Sequence, residues 1–401
     1  MQRGYGVDRV VHEVSERLVK LGHEVAVVCT TMDGHLDGSY ELIQMQVAKT
    51  EGLLRIADEF AADVVVAHSS PFIELLPIVR HRYPSWVWEH GDPTPELFGE
   101  DSEERAAIKS YKAEFCYPVV DGVLAVSEFV RADMRWPAAE VIYNGCDHAP
   151  DSGSKGLQDR RLSRRQPLRL GALMRLGRHE ERYKGNGLFV RLLRELAATD
   201  LPVEASVMGR GTDLDAAELR EAGCRVHLNA NDEEKWEYLR HLDVFVSCSL
   251  WEGFNLPLVE AQAVGTLAVA FDCGAHPETC PLTFPNLAEM VGFIGRIAND
   301  PELLSGHARA GYRHARGSFR WSEASSRFET LVLSAATSGG RAERRRRPRQ
   351  SRAVPMGLFL RLVQWRQNLA ATIRSLRLYG VRITLKKARR RLREAFQARG
   401  G

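Results

Sequence analysis

Short, nearly continuous apolar runs alternate along this chain with segments whose apolar residues recur every three or four positions. The runs at 24–30, 40–46, 64–68, 86–89, 123–126 and 141–143 predict strands. The segments at 10–21, 53–62, 73–83 and 103–115 predict the helices between them. Asn144-Gly145 then signals a turn, and the polar, basic stretch 147–166 follows. Alternation restarts with strands predicted at 168–174, 203–208, 226–228, 244–248 and 267–271. Runs without a polar face are those of strands buried on both sides, as in parallel sheets covered by helices. Two doubly wound α/β domains with a cleft between them follow, and ligands in such sheets bind beyond the carboxyl ends of the strands.

Composition narrows the setting. The 401 residues are 44% hydrophobic, enough for sizeable cores. The seven cysteines are scattered without a Cys-x2-Cys pair, which argues against a disulfide framework or zinc site and for a reducing cytoplasm. There is no secretory signal pattern and no uncharged apolar run of membrane-spanning length. Net charge is +3, but residues 341–401 hold 19 Lys and Arg against two acids, or +17. The other 340 residues therefore hold 36 basic and 50 acidic groups, or −14, so an acidic body carries a basic tail.

The richest stretch is SLWEGFNLPLVEA at 249–261, where seven residues separate Glu252 from Glu260. It follows an apolar strand and runs into a helix, with Pro257 suited to the first helical position. The amides of Phe254, Asn255 and Leu256 would face out of that helix N-terminus, a seat for an anion such as a diphosphate. Glu252 in the loop and Glu260 on the helix can then flank the ligand. In GRHEERYKG at 177–185, Arg178 and Lys184 offer cations to a departing diphosphate, with Arg175 and Arg182 as spare candidates. Gly4 and Gly6 precede the first helix, where the backbone can approach a phosphate or sugar, or where Asp8 simply caps a turn. His68 and His90 end two strands on the cleft side of the first domain. Asp213 and Asp215 open an Ala-rich helix and read as capping residues rather than metal ligands.

These motifs resemble the retaining family-4 glycosyltransferases of the GT-B fold, whose signature is a Glu-x7-Glu element. The resemblance runs from Gly4 to about Leu333. It implies two Rossmann-like domains: an N-terminal acceptor domain at 1–147, a linker at 148–166, and a nucleotide-sugar domain at 167–318. A helix at 319–336 would cross back to the first domain. By the same resemblance Glu252 contacts the donor sugar, Glu260 the nucleotide ribose, and Arg178 and Lys184 clamp the diphosphate. Gly6, Gly209, Phe254, Asn255 and Leu256 would complete the donor site, and His90 would act at the acceptor side. The segment 227–232 would read the base through backbone atoms. CGAHPE at 273–278 matches a Gly-Gly-x-Pro-Glu turn, with Ala275 in place of the second glycine and a histidine, His276, of unassigned role. The family's glycine loop follows an apolar first strand, whereas this sequence opens at Met1-Gln2-Arg3, so the first strand is expected to be missing.

The expectation is a cytoplasmic, metal-independent, retaining glycosyltransferase without a cofactor, moving a sugar from UDP or GDP to a hydroxyl acceptor. The acceptor would be a sugar, a lipid-linked sugar or a small molecule. The rival is a degenerate, non-catalytic relative that binds a membrane or nucleic acid through its tail. In that tail, Leu358, Leu362, Trp365, Leu369, Ile373 and Leu376 recur at helical spacing between arginines. Such a segment suits the inner, anionic face of a membrane. A helix packed on the acidic body, or an RNA-binding arm, are the other readings; the last is disfavoured by the few aromatic residues.

Overall fold

The computed structural model describes residues 6–32, 37–151, 167–177, 181–199 and 201–333. The N-terminal half contains strands β1 (Ala26–Cys29), β2 (Glu41–Gln44), β3 (Val65–Ala67), β4 (Ser85–Glu89), β5 (Gly122–Ala125) and β6 (Glu140–Val141). Helices α1 (Gly6–Lys20), α2 (Thr50–Glu59), α3 (Leu76–Val79), α4 (Ser102–Tyr111) and α5 (Glu128–Asp133) lie among them. All pairings are parallel, β1 with β2 and then β3-β4-β5-β6. No hydrogen-bonded pairing joins these two sets among the described residues.

The C-terminal half builds one parallel sheet, in the order β12-β11-β10-β7-β8-β9. Its strands are β7 (Leu168–Arg175), β8 (Val203–Arg210), β9 (Arg225–Leu228), β10 (Val244–Ser247), β11 (Leu267–Phe271) and β12 (Thr283–Phe284). Its helices are α6 (Glu181–Lys184), α7 (Asn186–Ala197), α8 (Ala217–Glu221), α9 (Asp232–His241), α10 (Leu256–Ala263), α11 (His276–Thr279) and α12 (Leu287–Ala298). Every residue of β10 and β11 is buried, which explains the absence of an alternating polar face in Val244–Val246 and Leu267–Phe271.

Chain order gives this sheet its functional geometry. From β7 the chain moves outward through β8 and β9, then returns to β10 on the other side of β7 and continues to β12. The order therefore reverses between β7 and β10, and a crevice opens at their carboxyl ends. The loop after β7 leads to Lys184, and the loop after β10 carries Glu252.

Two last helices, α13 (Pro301–Ser318) and α14 (Trp321–Phe328), bind the halves together. The Trp321 amide donates to Asp147 at 2.6 Å, and Phe328 stacks on Trp88 at 5.3 Å between ring centroids. Helix α14 also packs on α1. Trp321 and Trp88 are fully buried, so this seam belongs to the core.

Candidate functional site

The N-terminus of α10 is shaped by one residue. Asn255, its N-cap, sits in the left-handed region at φ 62°, a conformation asparagine tolerates better than most side chains. Its Oδ1 accepts from the Leu258 amide at 3.3 Å, and Pro257 occupies the first turn, where it loses no hydrogen bond. On one side of this turn stands Glu252, on the other Glu260, both buried.

Lys184, at the end of α6, donates from Nζ to Glu252 Oε1 at 2.8 Å. Burial pushes Glu252 toward the neutral acid, but the Lys184 ammonium outweighs it and holds the carboxyl below its usual range. Glu260 Oε1 accepts from Lys235 Nζ at 3.0 Å and meets His148 Nε2 at 2.8 Å. Trp321 Nε1 donates to His148 Nδ1 at 2.8 Å, so the ring proton lies on Nε2, directed at Glu260. Here too burial acts against ionisation, and Lys235 with His148 overcomes it, leaving Glu260 well below the carboxylate range.

Opposite α10, Gly6 and Arg9 of α1 face the crevice, and Arg9 pairs with Asp232 across the two halves. Gly6, Gly209, Leu256 and Glu260 line one cleft with Arg175, Lys235 and Asp232. A larger groove along β9 shares only Met208 and Ala230 with it and is lined by His227–Ala230 of the predicted base-reading segment, but by none of the carboxylates or cations of the candidate site.

The N-terminal half closes the other wall. His68 and His90 follow neighbouring strands, and His68 Nδ1 lies 3.1 Å from His90 Nε2. Burial lowers both, His68 to about 4 and His90 well below 6.5, so each ring is held neutral. The His90 carbonyl oxygen packs directly on Gly253: a Cβ there would stand 2.2 Å from it. Ser127 Oγ donates to the Gly253 carbonyl at 2.7 Å. Glu278 reaches across in the other direction, accepting from the amides of Glu128 and Phe129 at the start of α5 and from Tyr143 Oη. The Glu252 loop is thus gripped by both halves.

Of the sequence-predicted site residues, Lys184 and Glu252 meet directly, while Phe254, Asn255, Leu256 and Glu260 share one helix end. Gly6, Gly209 and His90 line the surrounding walls. Arg178 lies outside the described residues, as do Gly4 and the tail 341–401. Asp213 pairs with Arg220 at 2.8 Å, and Asp215 accepts from Thr212, both local turn contacts. Sequence reasoning missed Arg9, His148 and Lys235, and held Asp232 only as the end of the base-reading segment 227–232. The one local signal was the helix start at 231–235, where Asp232 and Lys235 fall on one face.

Comparison with known proteins matches a Glycosyltransferase Family 4 domain to residues 5–149 and a Glycosyl transferases group 1 domain to residues 171–300. The chain belongs to the GT-B glycosyltransferases of family 4. This glycosyltransferase is 29% identical, over 83% of its length and 91% of the relative's, to a phosphatidyl-myo-inositol mannosyltransferase of Mycolicibacterium smegmatis. It is 30% identical, over 50% of its length and 60% of the relative's, to a lipopolysaccharide core biosynthesis mannosyltransferase of Rhizobium leguminosarum bv. viciae. Its fold is similar to that of sucrose-phosphate synthase from Thermosynechococcus elongatus, with TM-score 0.68, 16% identity and coverage of 84% and 95% of the two chains. An Anabaena protein crystallised with UDP and glucose gives TM-score 0.63 at 17% identity, covering 83% and 98%. As a glycosyltransferase of this family it moves a sugar from a nucleotide-sugar donor. Among the described residues, no helix is long and apolar enough to cross a membrane.

Proposed function

We propose that this enzyme transfers mannose, with retention of configuration, from a nucleotide donor to a sugar-bearing or lipid-linked hydroxyl acceptor. The observation that carries the donor site is the placement of buried Glu252 and Glu260 on the two flanks of the α10 N-terminus, at the strand-order reversal. In this reading the diphosphate faces the amides of Phe254, Asn255 and Leu256. Glu260, set by His148 and Lys235, accepts from the ribose hydroxyls. Glu252 contacts the sugar, and Lys184 with Arg178 holds the charge that grows on the leaving diphosphate. Those cations supply the electrostatic stabilisation, so the reaction needs no metal.

The bond from the sugar C1 to the diphosphate oxygen breaks, and the acceptor oxygen bonds to C1 on the same face. The acceptor proton passes to the departing diphosphate. His90, kept neutral by burial beside His68, stands on the acceptor wall and orients the incoming hydroxyl. Mannose is favoured because both curated relatives described above are mannosyltransferases, one acting on phosphatidyl-myo-inositol and one in lipopolysaccharide core synthesis. A lipid-linked acceptor also gives the basic tail a purpose, as an anchor at the inner, anionic face of a membrane.

Mass spectrometry of products from a panel of nucleotide sugars tests the reaction. Hexose transfer from a nucleotide-mannose, unchanged in EDTA and with the anomeric configuration kept, is the expected result. Transfer only from another sugar would overturn the mannose assignment, and rescue of an EDTA-inactivated enzyme by manganese would overturn metal independence.

A further inference from the structure

The turn that packs on the Glu252 loop contains a histidine that the donor chemistry does not use. His276 is fully buried at the start of α11. Its Nδ1 lies 2.9 Å from the Phe271 carbonyl oxygen, and its Nε2 lies 2.9 Å from Asn255 Nδ2. The hydrogen-bond directions are interlocked. The Leu258 amide donates to Asn255 Oδ1, so Asn255 must present its NH₂ to the histidine. Nε2 is therefore the acceptor and Nδ1 carries the proton, which the Phe271 carbonyl requires. Ser247 Oγ accepts the second Asn255 N–H at 2.9 Å, completing the set.

The rest of the turn braces the same loop. The Ala275 amide donates to the Glu252 carbonyl at 2.9 Å, and Cys273 Sγ donates to the Ser249 carbonyl at 3.1 Å. Gly274, at φ 60°, leaves no room for a side chain, since a Cβ would lie 2.7 Å from the Glu252 carbonyl oxygen. Backbone contacts thus hold Glu252, while the only side chain of the turn that reaches the N-cap of α10 is His276.

We propose that His276 is a positioning residue for donor binding: its neutral imidazole locks Asn255, and through it the orientation of the α10 N-terminus between Glu252 and Glu260. The proposal rests on the reading of that helix end as the donor seat. Replacing His276 by an apolar residue leaves an Asn255 N–H buried without an acceptor, and the left-handed N-cap loses its support. Protonating His276 has a similar effect, because an Nε2–H then faces the Asn255 NH₂. Burial lowers the pKa of His276 from 6.5; Glu252 and Asp272 act against this, and Lys184 acts with it. The Cys273 thiol, 3.7 Å from Nδ1, is pushed up by burial to about 12 and stays uncharged.

Calorimetric titration with UDP and GDP tests this on wild type, His276→Leu, His276→Gln and Glu260→Ala. His276→Leu is expected to weaken binding of the preferred nucleotide about tenfold, the loss of one buried hydrogen-bond acceptor. His276→Gln, whose side-chain oxygen can accept from Asn255, should stay within about threefold of wild type. Because burial lowers the His276 pKa, wild-type affinity should hold through the ordinary histidine range and fall only at more acidic pH, while the His276→Gln curve lacks that component. Glu252, Asp272, Lys184, His68 and His90 are common to both proteins, so the difference between the curves isolates His276. Wild-type binding by folded His276→Leu, or identical pH curves for wild type and His276→Gln, would overturn the proposal. If His276→Leu does not fold, the pH comparison decides. If Glu260→Ala also binds as wild type, the donor seat itself has been misplaced, and the role of His276 falls with it.

Discussion

At the scale of single residues, Lys184 carries the sharpest electrostatic claim. Its ammonium is paired with Glu252, and both side chains are largely buried, at 16% and 10% exposed. The pair is set for a ligand whose negative charge increases as its bond breaks, so Lys184 matters more in the transition state than in the bound donor. Lys184→Ala, and likewise Arg178→Ala, should lower kcat by roughly 10²–10³ with a smaller effect on donor KM, the scale of one such group. Steady-state kinetics on the two variants checks this; unchanged kcat in both would place the clamp at Arg175 or Arg182. The two carboxylates of this site were legible because strand, Gly-Phe-Asn-Leu-Pro turn and helix are contiguous in sequence. Their partners were not. His148 lies 112 residues from Glu260 and Lys235 lies 25 away, and only the tertiary fold brings them within hydrogen-bond reach. His276 was visible as a departure from the family turn, but its hydrogen-bonding role depends on Asn255, which is 21 residues distant.

At the scale of elements, strands of the parallel sheets were the easiest to read. Central strands such as β4, β10 and β11 are covered on both faces, so Trp86–Trp88, Val244–Val246 and Leu267–Phe271 read as apolar runs without alternation. The two-residue β12 offers too little pattern to be seen. The segment predicted as one helix over 73–83 is instead a tight 3₁₀ turn, Ile73–Leu75, followed by the short α3. Pro77 lacks an amide hydrogen and belongs in a first turn, so the helix restarts there. The helix predicted over 103–115 does continue past α4, but Lys112–Cys116 widens into a π turn. That turn carries Lys112 inward to Glu89 and Asp92 at 2.6 and 2.5 Å, buried beneath the His90 loop. Periodicity gives the side of a helix that is buried, not the demand of one buried cation for two carboxylates.

At the scale of the whole molecule, two features lead to predictions: the contacts that join the two halves and the separation of charge along the sequence. Arg9–Asp232, Ser127–Gly253, Glu278 on α5 and His148–Glu260 all cross the cleft, and each touches or adjoins the donor site. The tail at +17 against a body at −14 lies outside the described residues, and its arginines beside Trp365 and leucines suit an anionic headgroup layer. Full-length protein should float with anionic but not neutral liposomes, and a 1–340 truncation should not; equal behaviour of the two would favour a tail packed on the body. Each basic residue near such a surface adds about 1 kcal/mol, so attachment should also weaken with salt. The central claim, a nucleotide seat at the α10 N-terminus, is tested most directly by titrating wild type and Glu260→Ala with UDP and GDP. A ribose-contacting, charge-assisted hydrogen bond contributes about 1.5–3 kcal/mol, so the variant should bind the preferred nucleotide on the order of 10- to 100-fold more weakly. Unchanged affinity for both nucleotides in a folded Glu260→Ala protein would contradict the account.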